Sequence, residues 1–184
     1  MRSYKTEGII IKRKNFGEAD RMLTVLTPRH GKIKIIAKGV RKISSRRSSH
    51  VELLNLSILT LHEGKILILT EAETLNHFQD LKDNLKKSGL AFYLCELVDG
   101  LLPENLPAGR QDQENKAVFH LLYQTLNSLE REMDHKMLIK KFEQELLGIL
   151  GFWPKDRLFI HDSEGFIEGI MEKKIKTKKI LNLF

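Results

Sequence analysis

Twelve Lys or Arg residues and only two Asp or Glu lie between Lys12 and Arg47, a net +10 in 36 positions. A field of one sign this concentrated attracts a polymer of phosphates or an anionic membrane surface. The charge is local. Residues 1–78 hold 15 basic and 7 acidic side chains, whereas residues 79–184 hold 16 and 17. Single-strand binders join such a groove to aromatic platforms on which bases stack. Tyr4 and Phe16 are the only aromatics before Phe78, so phosphate contacts should dominate, with weak sequence preference and steep salt dependence. The candidate surface comprises Lys12, Arg13, Lys14, Phe16, Arg21, Lys32, Lys34, Lys38, Arg41, Lys42, Arg46 and Arg47. Lys12 and Arg13 point to opposite sides of a strand, so not all of these can face one way. A merely solvated basic surface is the competing reading.

Covalent chemistry finds no support. The seven histidines (30, 50, 62, 77, 120, 135 and 161) show neither i, i+4 pairing nor an HExxH pattern. Cys95 lies within the apolar stripe Ala91–Leu97 and reads as a small buried hydrophobe. Neither GxGxxG nor GxxxxGK[ST] occurs, which disfavours a Rossmann or P-loop nucleotide site. The acids of 111–114 and 130–132 read as helix starts and solvated faces. Glu18 and Asp20 stand inside the basic region, where Asp20 can cap a turn and either can pair with Arg21. No catalytic residue, metal or cofactor is expected. The chain reads as a binder, not an enzyme.

These residues need elements to hold them. Gly8–Lys12 is a β-branched run ended by the turn-prone Asn15–Asp20. Strands follow over Arg21–Leu26, Lys32–Lys38, Leu53–Leu61 and Ile66–Thr74. In the third, Lys32, Lys34 and Lys38 share one face and Ile33, Ile35 and Ala37 the other, while Ile36 breaks the basic row. Gly39–His50 is a loop carrying Arg41, Lys42, Arg46 and Arg47. Five short strands suggest a small closed barrel, OB-like or SH3-like by pattern alone.

After Phe78 the period becomes helical. A short helix is expected over Gln79–Lys87, then a stripe of Leu90, Leu94, Leu97 and Leu101. Val118–Leu129 and Leu138–Leu150 give two more helices, the last ending at Gly151 before Pro154. These stripes must pack as a bundle. Leu158–Ile160 and Gly165–Ile167 read as a hairpin, and Lys173–Leu181 as a basic amphipathic helix or a frayed tail. The fold class is thus α+β in two domains, a five-stranded β-barrel at 1–78 and an all-α bundle at 79–154, with a tail at 155–184. No apolar run approaches the roughly 18 residues of a spanning helix. One cysteine excludes an internal disulfide. A soluble, cytoplasmic protein is expected.

The stretches Tyr4–Ile11, Phe16–Arg21, His30–Lys32 and Ala37–Arg41 resemble those of the bacterial DNA repair and recombination mediator family RecO. The likeness extends through Glu52–Leu53 and Leu69–Phe78, and more weakly through Ala91–Leu97 and Leu147–Phe152. It covers residues 1–154. The resemblance implies an OB fold ahead of a helical domain, binding to single- and double-stranded DNA, and ATP-independent strand annealing. It also implies cooperation with RecR, and often RecF, in loading the RecA recombinase onto DNA coated by single-stranded DNA-binding protein. That protein's acidic, apolar-ended tail would be held around Phe92 or Phe142, with Lys140 or Lys141 for its carboxylate, and the protein would work at the nucleoid. Many relatives carry a cysteine-based zinc motif after the segment matching Leu150–Phe152. Residues 157–169 here hold no cysteine, so zinc is not expected, and the chain ends early for the family. An RNA-binding OB module of translation or ribosome assembly is the alternative function. An interaction adaptor is a third.

Overall fold

A computed structural model describes residues 2–104, 111–131, 134–154, 157 and 163–177. Five strands come first: β1 (Ser3–Phe16), β2 (Asp20–Thr27), β3 (Gly31–Ala37), β4 (Leu56–His62) and β5 (Leu67–Asn76). They pair in the order β1-β2-β3-β5-β4 and β4 returns to β1, forming a closed barrel. All pairings are antiparallel except β3 with β5. The fourth strand begins three residues later than its apolar pattern suggests. Leu54 adopts a left-handed backbone, φ 70°, and its N–H donates to the Ile10 carbonyl at 2.9 Å. The chain therefore turns there instead of running straight.

β1 serves two neighbours, Ser3–Ile9 pairing with β4 and Ile9–Phe16 with β2. Gly8 sits where the strands crowd. A Cβ there would lie 2.4 Å from Val25 Cγ1 and 3.1 Å from the Leu26 carbonyl oxygen, so only glycine fits. Between Ile10 and Lys12 the register slips by a bulge at Ile11. This accounts for three consecutive buried isoleucines, Ile9, Ile10 and Ile11, in one strand. The interior is filled by Ile10, Leu23, Val25, Ile33, Ile35, Leu59, Leu61 and Leu69, with Val40 and Val51 from the β3–β4 connection.

The helices are α1 (Gln79–Asp83), α2 (Leu85–Leu101), α3 (Gln111–Arg131), α4 (His135–Ile149) and α5 (Ser163–Met171). The expected helix over Gln79–Lys87 is divided at Asn84, which leaves helical geometry and accepts the Lys87 N–H as the N-cap of α2. Asp134 caps α4 in the same way through the Met137 N–H. Gly151, φ 74°, stops α4. The Phe152 N–H bonds back to the Leu147 carbonyl at 2.9 Å, a Schellman closure that needs the left-handed residue. α2 packs against α1, α4 and α5.

One expectation is corrected. Gly165–Ile167 is not a strand of a hairpin but lies in α5, where Ile167 is fully buried. A three-residue apolar run has no period of its own, and Phe166, Ile167, Ile170 and Met171 together make the helical stripe. Leu158–Ile160 lie outside the described residues, as do residues 178–181 of the expected terminal helix, while residues 173–177 are described and are not helical.

Contacts divide the chain into two compact units, residues 1–77 with 104–116, and residues 78–103 with 117–184. In the second, Ile175 is buried and the Glu96 carboxylate on α2 accepts the N–H groups of Lys176 and Thr177 and the Thr177 hydroxyl. Burial pushes the Glu96 carboxyl up, but those hydrogen bonds and Lys173 outweigh it and hold the group below its ordinary 4.5. A carboxyl lowered on folding stabilises fully above its ordinary value and loses that contribution as pH falls through the lower folded one. Amide hydrogen exchange at Lys176 and Thr177 should therefore lose protection in that acid window. In Glu96→Ala it should be weak at neutral pH as well.

Candidate nucleic-acid interface

The bulge at Ile11 decides which way each β1 cation faces. Lys12 pairs across the sheet with Thr24, and Thr24 with Lys34, so these three form one outward row. Arg13 instead pairs with Leu23, and Arg21 with Ala37, both core residues. The two arginines therefore sit on the inner face at one end of the sheet. There Glu52 bonds both, Arg13 through one carboxylate oxygen and Arg21 through the other, the latter at 3.0 Å. Glu18 and Asp20 are not the partners of Arg21.

Asp20 has another task. Its Oδ1 accepts the Gly39 N–H at 2.7 Å. The Arg41 N–H donates to the Ala19 carbonyl at 2.9 Å, and its guanidinium reaches the carbonyls of Gly17 and Glu18 at 3.3 and 3.1 Å. These bonds stitch the β1–β2 turn to the β3–β4 loop and make one surface of two segments.

Arg47 is committed to structure. β3 and β5 share only two register pairs, Ile35 with Leu67 and Ile36 with Ile68. Beyond them the Arg47 fork bridges the same two strands, with Nη2 on the Lys38 carbonyl at 2.8 Å and Nη1 on those of Leu69 and Thr70 at 2.8 and 3.3 Å. A guanidinium has enough fixed donors to continue a ladder the backbone leaves off. His50 holds the strand further along, its Nδ1 accepting the Thr74 N–H at 3.2 Å.

Lys32 must be corrected outright. It is only 5% exposed and cannot meet a ligand on the surface. Its backbone bridges to Glu104, whose carboxylate pairs with Lys34 at 2.7 Å. Of the proposed set, Lys14, Phe16, Lys38, Arg41, Lys42 and Arg46 are exposed on or beside the two stitched segments. Lys12 and Lys34 stand in the outward row. Lys38, Lys42, Arg46 and Arg47 line a concavity of about 590 Å³ with Ser44, Ser45, Gly39 and Asp20. Arg47 there is bonded to backbone carbonyls, which leaves Lys38, Lys42 and Arg46 beside the Asp20 carboxylate. Sequence reasoning missed the serines, which carry no signal apart from their place between basic residues, and it missed Glu52, a lone acid just after the basic loop.

The second unit has its own cleft of about 490 Å³, with Lys86, Lys136 and Lys140 around Leu90 and Ile139. The buried Glu143 carboxylate forms part of it, accepting the Tyr93 and Ser163 hydroxyls at 2.6 and 2.7 Å. Burial, then Glu143, pushes the Tyr93 hydroxyl up, so it stays a donor. Of the residues expected to hold a partner, Lys140 lines this cleft, while Lys141 is exposed and lies 3.9 Å from Glu145. Phe92 is half-buried on α2. Phe142 is 1% exposed and is core, not surface, because the α4 stripe it belongs to faces inward.

The described residues do not suit a metal. Cys95 is buried in α2, its thiol pushed up to about 12 by burial and by Asp99. Among the described residues no three His, Cys, Asp or Glu side chains group as ligands, and no helix is long and apolar enough to cross a membrane.

Arg47→Ala should cost on the order of 2 kcal/mol, since three carbonyls lose a charged donor. Arg46→Ala should stay within about 0.5 kcal/mol. Urea denaturation of the two variants checks the division between structural and ligand-facing cations.

Two family models match the chain. A family model described as recombination protein O N terminal matches residues 1–78, and one described as recombination protein O C terminal matches residues 82–155. The chain is similar to the DNA repair protein RecO of Roseiflexus sp. (strain RS-1), 39% identical over 155 residues, 84% of this chain and 52% of that one. It is similar also to proteins of that name from Dehalococcoides mccartyi (strain CBDB1), 38% identical over 84% of this chain and 58% of that one, and from Symbiobacterium thermophilum, 36% identical over 84% and 59%. The chain spans a little over half the length of these relatives.

Proposed function

Because the chain belongs to the recombination protein O family, we propose that it serves DNA repair and recombination by binding DNA on the stitched surface of its first unit. The closed five-stranded sheet is read as an OB barrel, whose β1–β2 loop borders the ligand face. The observation that carries this reading is the exposure of Lys14, Phe16, Lys38, Lys42 and Arg46 on or beside two segments braced by hydrogen bonds from Arg41 and to Asp20. Cations presented on a braced surface lose little conformational freedom when phosphates arrive. Single and double strands both offer those phosphates, so both should bind. Two complementary strands held with their charge neutralised anneal faster, and no ATP is needed for that. No covalent step is assigned to any residue.

The partner reading follows the second cleft. The acidic, apolar-ended tail of single-stranded DNA-binding protein would lay its apolar end against Leu90 and Ile139 and its carboxylates against Lys86, Lys136 and Lys140. RecR would join this chain in helping to load recombinase onto coated DNA.

Fluorescence annealing of complementary DNA oligomers across a salt series, with an RNA competitor, tests the main reading. The chain should accelerate annealing. Combined Lys38→Gln, Lys42→Gln and Arg46→Gln should lower single-strand affinity more than tenfold and flatten the log–log salt slope by about 2, at roughly 0.7 per phosphate contact. Preference for the RNA competitor would transfer the assignment to an RNA-binding module. For the partner, Lys140→Glu should weaken capture by intact single-stranded DNA-binding protein, and protein lacking its tail should not be captured at all.

A further inference from the structure

Past the end of α5, residues 173–179 carry five Lys in seven positions. The preceding residues 79–172 hold 11 basic and 17 acidic side chains, so positive charge is gathered onto one short segment. That segment lies beyond residue 155, where the match to the family model ends.

Its described part, residues 172–177, is fastened to the second unit. Glu172 leaves the helix in the left-handed region, φ 52°, and turns the chain. The Glu168 carboxylate accepts the Ile175 N–H at 2.9 Å through one oxygen and the Lys174 ammonium at 2.7 Å through the other. Ile175 itself is buried. On α2, the Glu96 carboxylate takes the N–H groups of Lys176 and Thr177 at 2.9 and 2.8 Å and the Thr177 hydroxyl at 2.7 Å. Two carboxylates and one buried isoleucine thus brace a strap on which Lys173, Lys174 and Lys176 are exposed. Ordering such a segment costs conformational entropy, which a merely solvating stretch has no reason to bear. The Lys174 side chain is 90% exposed even in its pair with Glu168, and an exposed pair of that kind gives way readily to a phosphate.

We infer that this strap is a second site for a nucleic-acid backbone, so that one chain holds two strands at once, one on each unit, and thereby anneals them. The inference rests on the nucleic-acid reading above and names where the second strand is held. Strands carried by one chain meet at an effective concentration on the order of mM, set by their tether and not by their dilution. Lysines on a braced backbone displace the counterions of phosphates while losing little freedom of their own. Residues 172–179 include no aromatic ring, so the strap has no platform for stacking. It grips phosphates and leaves base edges free to pair, which annealing requires.

Titration of the full chain with fluorescent single strands of about twelve nucleotides, within the span of one binding site, counts strands per chain. The native chain should carry two. Combined Lys173→Gln, Lys174→Gln and Lys176→Gln should carry one and anneal complementary strands about tenfold more slowly, the advantage of the tether being lost. Glu96→Ala separates a braced strap from charge alone. It makes the chain more positive, which by itself tightens binding. Loss of the bracing should instead weaken the second site about threefold and slow annealing. One strand per native chain, undiminished annealing in the lysine variant, or tighter second-site binding in Glu96→Ala would each overturn the strap and leave DNA binding by the first unit standing. No binding of single strands by the native chain would overturn both.

Discussion

Closure of the sheet depends on its shortest seam. β3 and β5 meet in parallel over two residue pairs, and the strands then diverge. An open edge there would expose unpaired carbonyls of Lys38, Leu69 and Thr70 next to a core of Ile35, Leu61 and Leu69. Arg47 supplies the missing donors from the loop that leaves β3. The loop is thus fixed by the same contact that closes the barrel. Its basic side chains acquire defined positions because the fold requires its guanidinium anchor.

This coupling explains why a dense run of cations does not scatter. Like charges repel, and a flexible loop carrying four of them would spread to separate them. Here Asp20 and Arg41 tie the loop to the β1–β2 turn, and Glu52 neutralises Arg13 and Arg21 on the inner face. The remaining cations lie at the solvent boundary, where water and salt screen their mutual repulsion. Positive charge is accordingly sorted into two kinds. Arginines with fixed forks hold backbone and carboxylate, while Lys14, Lys38, Lys42 and Arg46 lie exposed.

The helical unit follows the opposite economy of charge. The carboxylates of Glu96 and Glu143 accept hydroxyl and backbone donors, with Lys173 acting on Glu96 through its charge, whereas Glu168 pairs with Lys174 at 2.7 Å. Glu143 can then sit buried beside the cleft without an ion pair. Lys86, Lys136 and Lys140 share that cleft with Asp134 and Glu164.

Much of this was legible in the chain order of residues. Strand alternation, the change to a helical period after Phe78, the stop at Gly151 and the +10 stretch from Lys12 to Arg47 are properties of local pattern, and local pattern is what backbone geometry enforces. Other features were decided by tertiary structure. A one-residue bulge at Ile11 reverses the faces of Arg13 and Lys12, and no local rule separates three isoleucines in a strand from three isoleucines with a slip. Lys32 has the same alternation as Lys34, yet it is buried because its stretch of β3 pairs with a segment more than seventy residues away. The short run Gly165–Ile167 fits strand and helix alike until Ile167 finds its packing partners. Charge and period are written one residue at a time. Which side of a surface a side chain reaches, and whether a carbonyl or a solvent molecule meets it there, depends on chain segments that only folding brings together.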